Sequence, residues 1–171
     1  MFARDPLADP EPLIGRVYAY VAYRVGDGPD AEDITSDTFE RALRYRASYD
    51  PARGDAVSWL IGIARRQIAA GAAPIEANVD QRLESAAPGD VEEDAIRRLT
   101  ITAATAGLDE GDRELIALRY GADLTARQIA VVLERRTNAV EVALHRALGR
   151  LRTRLEAGDG AELRQSTRAE L

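Results

Sequence analysis

The segment from Thr125 to Leu155 constrains the fold most, because its apolar residues predict two helices joined by a short turn. Thr125 can cap the first helix, and Gln128 stands where it can complete a capping box. Such a pair of helices is typical of a helix-turn-helix, although an ordinary helical hairpin would show the same apolar spacing. The second helix repeats apolar residues every three or four positions and so has one apolar face, made of Val140, Leu144, Leu148, Leu151 and Leu155.

The distribution of charge favours the helix-turn-helix interpretation. The chain has 171 residues, a net charge of −6 and no lysine. Between Arg135 and Leu155, however, it carries six arginines and one acidic residue. A basic patch on an acidic chain indicates contacts with phosphate groups. Because most of the remaining surface would repel DNA, we expect a larger partner to supply much of the affinity for DNA.

The composition argues against an enzyme. The chain has no cysteine and one histidine, His145, so thiol nucleophiles, thiolate metal sites and multi-histidine sites are excluded. No glycine-rich phosphate-binding loop occurs, and we expect no catalytic residue, metal or cofactor. No segment approaches the ~20 apolar residues of a membrane span, and the first residues lack a signal-peptide core. The expected location is therefore the cytoplasm.

Three helices are predicted before residue 71, at 12–25, 30–47 and 56–70. Their apolar sides can face one another, and Trp59 is expected in the shared core, whereas Arg65 and Arg66 are expected to be exposed. A row of charged residues usually marks a solvated surface, and the functional alternative is a docking face for a basic partner. Such a row lies on the outer side of the second helix, at Asp33, Asp37, Glu40 and Arg44.

The remaining chain predicts a linker and further helices. Residues 71–91 are acidic, contain alanine, glycine and proline, and lack a helical period, which indicates a flexible linker. Helices are predicted at 92–106 and 110–120, the second capped by Asp109 and ended by Gly121. The expected fold is all-α with two small helical domains. Its parts are a three-helix domain at 11–70, the linker at 71–91, a helix-turn-helix domain at 92–157 and a frayed tail at 158–171 that starts with the helix-breaking Gly158-Asp159-Gly160.

Motifs in both predicted domains occur in the order and spacing of a known family. In the N-terminal half they are Arg24-Val25-Gly26-Asp27, Asp30-Ala31-Glu32-Asp33-Ile34-Thr35, Thr38-Phe39-Glu40-Arg41-Ala42-Leu43 and Trp59-Leu60-Ile61-Gly62-Ile63-Ala64-Arg65. In the C-terminal half they are Arg113-Glu114-Leu115-Ile116-Ala117-Leu118-Arg119-Tyr120, Ile129-Ala130 and Leu144-His145-Arg146-Ala147-Leu148. With them the chain resembles bacterial RNA polymerase sigma factors of the short, extracytoplasmic-function (ECF) type in the sigma-70 family, which have a region 2 and a region 4 domain.

The resemblance implies a promoter-recognition subunit whose partners are core RNA polymerase, promoter DNA and an anti-sigma factor. Region 2 would dock on the polymerase β′ coiled coil through Asp33, Asp37, Glu40 and Arg44, and would contact the −10 element through Arg53, Arg65 and Arg66. Region 4 would meet the β flap. It would read the −35 element through Arg136, Thr137, Asn138, Glu141, Val142, His145, Arg146 and Arg150.

The chain departs from the family's pattern in both domains. The family's third helix usually continues with an Asn, an Asp and basic residues, whereas 67–74 is nearly free of charge here, which predicts weaker contact with the −10 element. In the turn, Glu134 and Arg136 stand where the family usually has Gly and Ser, so Thr137 is expected to cap the second helix.

The second helix of the helix-turn-helix has lost two basic positions of the family's pattern, one of which has become Glu141. Glu141 can accept a hydrogen bond from cytosine N4, Asn138 can pair with adenine, and Arg146 can reach guanine or phosphate. Two alternatives to a sigma factor remain open at this point: a helix-turn-helix regulator that binds an operator alone, and a sigma-like module that only contacts proteins. Copurification with core polymerase would separate the first interpretation from the other two.

Overall fold

The computed structural model describes residues 5–71 and 104–169, with side chains through Ala157, and all of the regular secondary structure in these residues is helical. This confirms the all-α prediction. The predicted linker and most of the predicted helix 92–106 lie outside the described residues. The helices are α1 (Glu11–Val25), α2 (Pro29–Tyr45), α3 (Ala56–Gly71), α4 (Glu110–Ile116), α5 (Ala126–Val132) and α6 (Thr137–Ala169), with a 3₁₀ turn at Arg46–Ser48 and a π turn at Ala117–Gly121.

The first three helices form where the sequence predicts them. Gly26 ends α1 with φ 95°, a left-handed conformation that suits glycine, and Pro29 opens α2. Asp55 precedes α3 and accepts a hydrogen bond from the Ser58 backbone N–H at 2.8 Å. Their shared core contains Val17, Tyr20, Val21, Ala31, Ala42, Leu60, Ile61 and Ala64, all fully buried.

Trp59 lies at the edge of this core, so the expectation of a buried tryptophan is only partly met. Its side chain is half-buried and packs against the ring of Tyr49, with the ring centroids 5.4 Å apart. The reason is its direction on α3, because the neighbouring Leu60 and Ile61 fill the centre.

In the C-terminal half, the side chain of Asp109 caps α4 by accepting from the Asp112 N–H at 2.8 Å. The predicted capping box between Thr125 and Gln128 is present at the start of α5. Two predictions for α6 are wrong. The helix begins at Thr137, which puts Arg136 at the N-cap position, and it continues to Ala169 where the sequence predicts a break at 158–160.

The two halves share one hydrophobic core. Buried residues of α1 and α3 belong to the same cluster as Leu118, Ala122, Leu124 and Ile129 of the C-terminal half. Gly121 lies so close to α1 that a Cβ atom there would be 2.9 Å from both Cα and N of Tyr20. The absence of a side chain at this position therefore permits contact between the two halves. The helical segment ends at Gly121, as the sequence predicts, although the left-handed glycines of the described residues are Gly26 and Gly28.

Candidate nucleic-acid and protein interfaces

An open, basic cleft lies between α5 and the first turns of α6. Five of the residues predicted to read the −35 element line it: Arg136, Thr137, Asn138, Val142 and Arg146. Thr137 is half-buried and the other four are exposed. Glu141 and His145 are exposed on the flank of the same helix and do not line the cleft. The structure thus brings most of the predicted set to one surface.

The turn between α5 and α6 joins the two helices that border this cleft. Glu134 has φ 53°, a left-handed conformation that favours glycine, which gives a physical reason for the family's usual Gly at this position. The turn is held by a hydrogen bond from the Arg135 N–H to the Ala130 carbonyl at 2.9 Å. Glu134 therefore adopts a strained backbone in order to keep the helix-turn-helix geometry.

Further residues line the same cleft. Arg135 belongs to the basic patch that the sequence indicates, whereas Arg127 and Val131 are not singled out as contacts by the sequence alone. Arg127 lies in the first turn of α5. Its positive charge, opposite the start of α6, is the feature that could have identified it as a contact. Val131 and Val142 are 51% and 52% exposed, so the cleft also presents aliphatic side chains to solvent. Apolar groups at such a surface can contact thymine methyl groups.

Arg150 differs from its predicted role as a DNA contact. Its Nη2 donates to Asp112 Oδ1 at 2.7 Å, and its Nε donates to Asp112 Oδ2, so the guanidinium makes a bidentate pair within the C-terminal half. The Asp112 side chain is 7% exposed. The hydrogen bond with Asp112 raises the pKa of Arg150. Arg150 therefore joins α6 to α4, and a phosphate would have to compete with a buried carboxylate.

The charged row on α2 lies on the surface, as the helical spacing predicts. Asp33, Asp37 and Glu40 are exposed, and Arg44 is 3.7 Å from Glu40 in an exposed ion pair. Asp33 and Asp37 line an open groove of about 680 Å³ between α2 and α3. Among the described residues, the counter-charges of this acidic surface are Arg44 and the arginines of the groove, so the surface is suited to a cationic partner.

The residues predicted to contact the −10 element do not come together. Arg53 is exposed in the loop before α3, whereas Arg66 lies in the groove beside Asp33 and Asp37. Arg65 is half-buried, whereas the sequence predicts it to be exposed: its side chain is 42% exposed, and its Nε donates to Glu114 Oε1 at 2.6 Å. The hydrogen bond with Glu114 raises the pKa of Arg65. Adjacent positions on a helix point in different directions, which explains the separation.

Residues 5–71 and 104–157 bring together no group of three or more His, Asp or Glu side chains that could hold a metal ion. None of the described helices has the length and apolar character needed to cross a membrane.

Comparison with known proteins gives matches along most of the chain. The model for sigma-70 region 2 matches residues 11–70, and the model for sigma-70 region 4 matches residues 98–151. The ECF RNA polymerase sigma factor BldN of Streptomyces coelicolor is 29% identical over 140 residues, which cover 77% of this chain. The chain spans only 53% of the BldN sequence. The ECF sigma factor SigK of Mycobacterium ulcerans is 26% identical over 157 residues, covering 83% of this chain and 81% of SigK.

Solved structures share the fold. CnrH, solved in complex with the cytosolic domain of CnrY, superposes with a TM-score of 0.64 at 22% identity, covering 88% of this chain and 85% of CnrH. The sigma factor RpoE of Bartonella quintana, solved with the anti-sigma factor NepR, gives a TM-score of 0.66 at 17% identity, covering 85% and 93%. With region 2 and region 4 both matched in their usual order, the chain belongs to the sigma-70 family of RNA polymerase sigma factors.

Proposed function

We propose that this protein is an alternative sigma factor of the ECF type, a non-enzymatic subunit that binds core RNA polymerase and directs it to promoters. One observation carries the proposal: an exposed acidic row on α2 and an exposed basic helix-turn-helix cleft occur on one chain, in region 2 and region 4 respectively. A regulator that binds an operator alone would have no use for the acidic row. A module that contacts only proteins would have no use for the basic cleft.

The acidic row is the proposed docking surface for the β′ coiled coil. Asp33, Asp37 and Glu40 are exposed and lie on one side of α2, so a basic helix can approach all three carboxylates. Arg44 already neutralises part of Glu40 at 3.7 Å, which leaves Asp33 and Asp37 as the stronger contacts. Exposed ion pairs are individually weak and screened by salt, so this contact should fix orientation and speed association more than it sets total affinity.

The cleft of the helix-turn-helix is the proposed reader of the −35 element. Asn138 and Arg146 can make bidentate contacts with adenine and guanine, and Glu141 can accept from cytosine. Arg127 and Arg135 flank the same cleft and can hold the DNA backbone on either side. The −10 contact rests on Arg53 and the loop around it, since Arg65 and Arg66 point to other surfaces.

An anti-sigma factor is a proposed further partner, and the cytoplasm is the proposed location. RpoE, whose fold this chain shares, was solved with the anti-sigma factor NepR. A protein of this role works where the polymerase and the chromosome are.

Reversal of the acidic row tests the proposal. Asp33→Arg with Asp37→Arg should abolish binding to core polymerase while circular dichroism shows unchanged helix content. Glu32→Arg with Asp9→Arg makes the same change in net charge at exposed positions off the row, and should leave binding intact. The readouts are core binding and transcription in vitro from a promoter library.

Each alternative predicts a different result in that experiment. Unaltered core binding by the Asp33/Asp37 variant would refute the docking surface. A footprint on a palindromic site without polymerase would favour the stand-alone regulator, and core binding without any effect on promoter choice would favour the protein-contact module.

A further inference from the structure

The cleft between α5 and α6 combines positive charge with hydrocarbon. Its lining contains four arginines and no acidic residue. Apart from Thr137 and Asn138, the rest of the lining is aliphatic and consists of Ala130, Val131, Ala139, Val142 and Ala143. A partner that fills this cleft must therefore be anionic and must also offer an apolar group to the aliphatic side chains.

The fold does not account for the larger aliphatic side chains of the cleft. On the other side of α6, Val140 and Leu144 belong to the buried core and hold the helix in place. Val142 is 52% exposed, and Val131 on the facing helix is 51% exposed. Single apolar residues on a surface are ordinary, but here two valines from facing helices and Ala139, which is also exposed, line one cleft. These side chains are available to a bound molecule.

Val142 lies between two polar side chains that can read bases. Asn138 precedes it by four residues and Arg146 follows it by four, so all three lie on the same side of α6. Asn138 and Arg146 can pair with adenine and guanine in the major groove. When these two side chains contact base edges, Val142 faces a base edge between them.

Thymine is the base whose major-groove edge fits an aliphatic side chain, because it presents a methyl group there. The other base edges present nitrogen and oxygen atoms. An aliphatic side chain against them would displace water from polar groups and leave those groups without a hydrogen bond, which costs free energy. The four arginines supply the attraction to phosphate that brings a nucleic acid to the cleft. DNA carries this methyl group, whereas the uracil of RNA lacks it.

We propose that Val142 is a specificity-determining residue that reads the 5-methyl group of a thymine in the −35 element, with Val131 of α5 on the opposite side of the cleft. The inference rests on the proposed sigma-factor function, and it adds a base preference to the proposed reader. It also separates the roles within the cleft: the arginines hold the phosphates, and Val142 selects a base.

Replacement of thymine by deoxyuridine tests the proposal, since it removes the methyl group and leaves the base pair unchanged. Holoenzyme is reconstituted from core polymerase and this protein, and a tightly bound −35 element is selected from a randomised duplex library. Each thymine of that element, on both strands, is then replaced singly. We expect one or two of the replacements to weaken binding about 4-fold, the value of one buried methylene group, and the others to have no effect.

Val142→Ala shows which side chain makes the contact. The position is exposed and alanine is the best helix former, so the variant should keep its helix content in circular dichroism. At the sensitive position, the 4-fold difference between thymine and uracil should fall to about 1-fold, while the salt dependence of binding stays the same. Ile14→Ala is the matched control. It truncates another exposed β-branched side chain, on α1 of region 2, and should keep the 4-fold difference.

Three results would overturn the proposal. Equal affinity for thymine and uracil at every position would exclude methyl reading and leave the sigma assignment standing. A difference that persists unchanged in Val142→Ala would assign the methyl contact to another residue. Loss of core binding by Val142→Ala in the absence of DNA would show that a protein, not a base, covers this part of the cleft.

Binding of the wild type to core polymerase is measured before DNA is added, so failure of the proposed function is recognised separately. If core binding fails, the sigma-factor function is refuted. The thymine and uracil duplexes are then compared with the protein alone, and the same difference in affinity, with its loss in Val142→Ala, decides whether Val142 reads the methyl group.

Discussion

Glu114→Gln should make region 2 and region 4 unfold at different denaturant concentrations. The side chains of Glu114 and Arg24 are 16% and 7% exposed, so Glu114→Gln leaves a buried guanidinium without its charged partner. Loss of one member of a buried ion pair costs about 3–5 kcal/mol. Two features reduce this cost. Arg24 retains Glu110 at 3.2 Å, a pair whose carboxylate is 82% exposed, and Arg65 can turn to water.

The net cost to the contact between region 2 and region 4 should therefore be about 2–3 kcal/mol, which is a factor of about 30 to 140 in the equilibrium between packed and separated regions. Two probes of denaturant unfolding measure it. Trp59 is the only tryptophan and reports region 2, whereas circular dichroism reports all helices. The unfolding transitions reported by Trp59 and by circular dichroism should coincide in the wild type. In Glu114→Gln they should have different midpoints.

Glu110→Gln is the matched control, because it removes the same charge from the exposed partner of Arg24, and it should cost less than about 1 kcal/mol. Equal effects of the two substitutions, or coincident transitions in Glu114→Gln, would refute the assignment of Glu114 as the charged centre of the interface.

Three further predictions concern other parts of the chain. Trp59→Ala should cost about 2–4 kcal/mol by thermal melting, below the cost of a fully buried tryptophan because its ring is half-buried; no change in the melting temperature would contradict this packing. Asn138→Ala and Arg146→Ala should alter the preferred −35 sequence by ~1–3 kcal/mol at an affected base pair; identical profiles across a −35 library would show that the helix reads no bases. Burial alone would raise the pKa of Asp55, but hydrogen bonds, one from Gln128, outweigh it and lower the pKa below 3.8. Asp55 therefore stabilises the fold above that value and loses the contribution as the pH falls through its lowered pKa, and Gln128→Ala should weaken this acid dependence in pH-resolved melting.

Local features of the sequence predict the helices well. Capping by Asp109 and the capping box of Thr125 and Gln128 follow from short-range rules, and the structure confirms them. The exposed row on α2 also follows from the period of the helix. The break predicted at 158–160 failed because glycine only lowers helix propensity, at a cost of about 1 kcal/mol per residue, and does not forbid a helix.

The contact between the two regions could not be predicted in this way. Arg65 and Glu114 are 49 residues apart, and Arg16 and Ala122 are 106 apart, so no local period relates them. Arg65 is predicted as exposed because it lies off the apolar side of its own helix. The sequence around Arg65 carries no sign of a partner that is distant along the chain. Arg150 is predicted as a phosphate contact for the same reason, since its partner Asp112 lies on another helix.

The close approach at Gly121 also gives a criterion that can be applied to other sequences. Any side chain at this position would meet the backbone of α1 at 2.9 Å, and a backbone cannot rotate away as a side chain can. A relative with a larger residue there must hold its two regions further apart or turn them differently. Glycine at this one position should therefore sort members of the family by whether they can adopt the same arrangement, before any of their structures is determined.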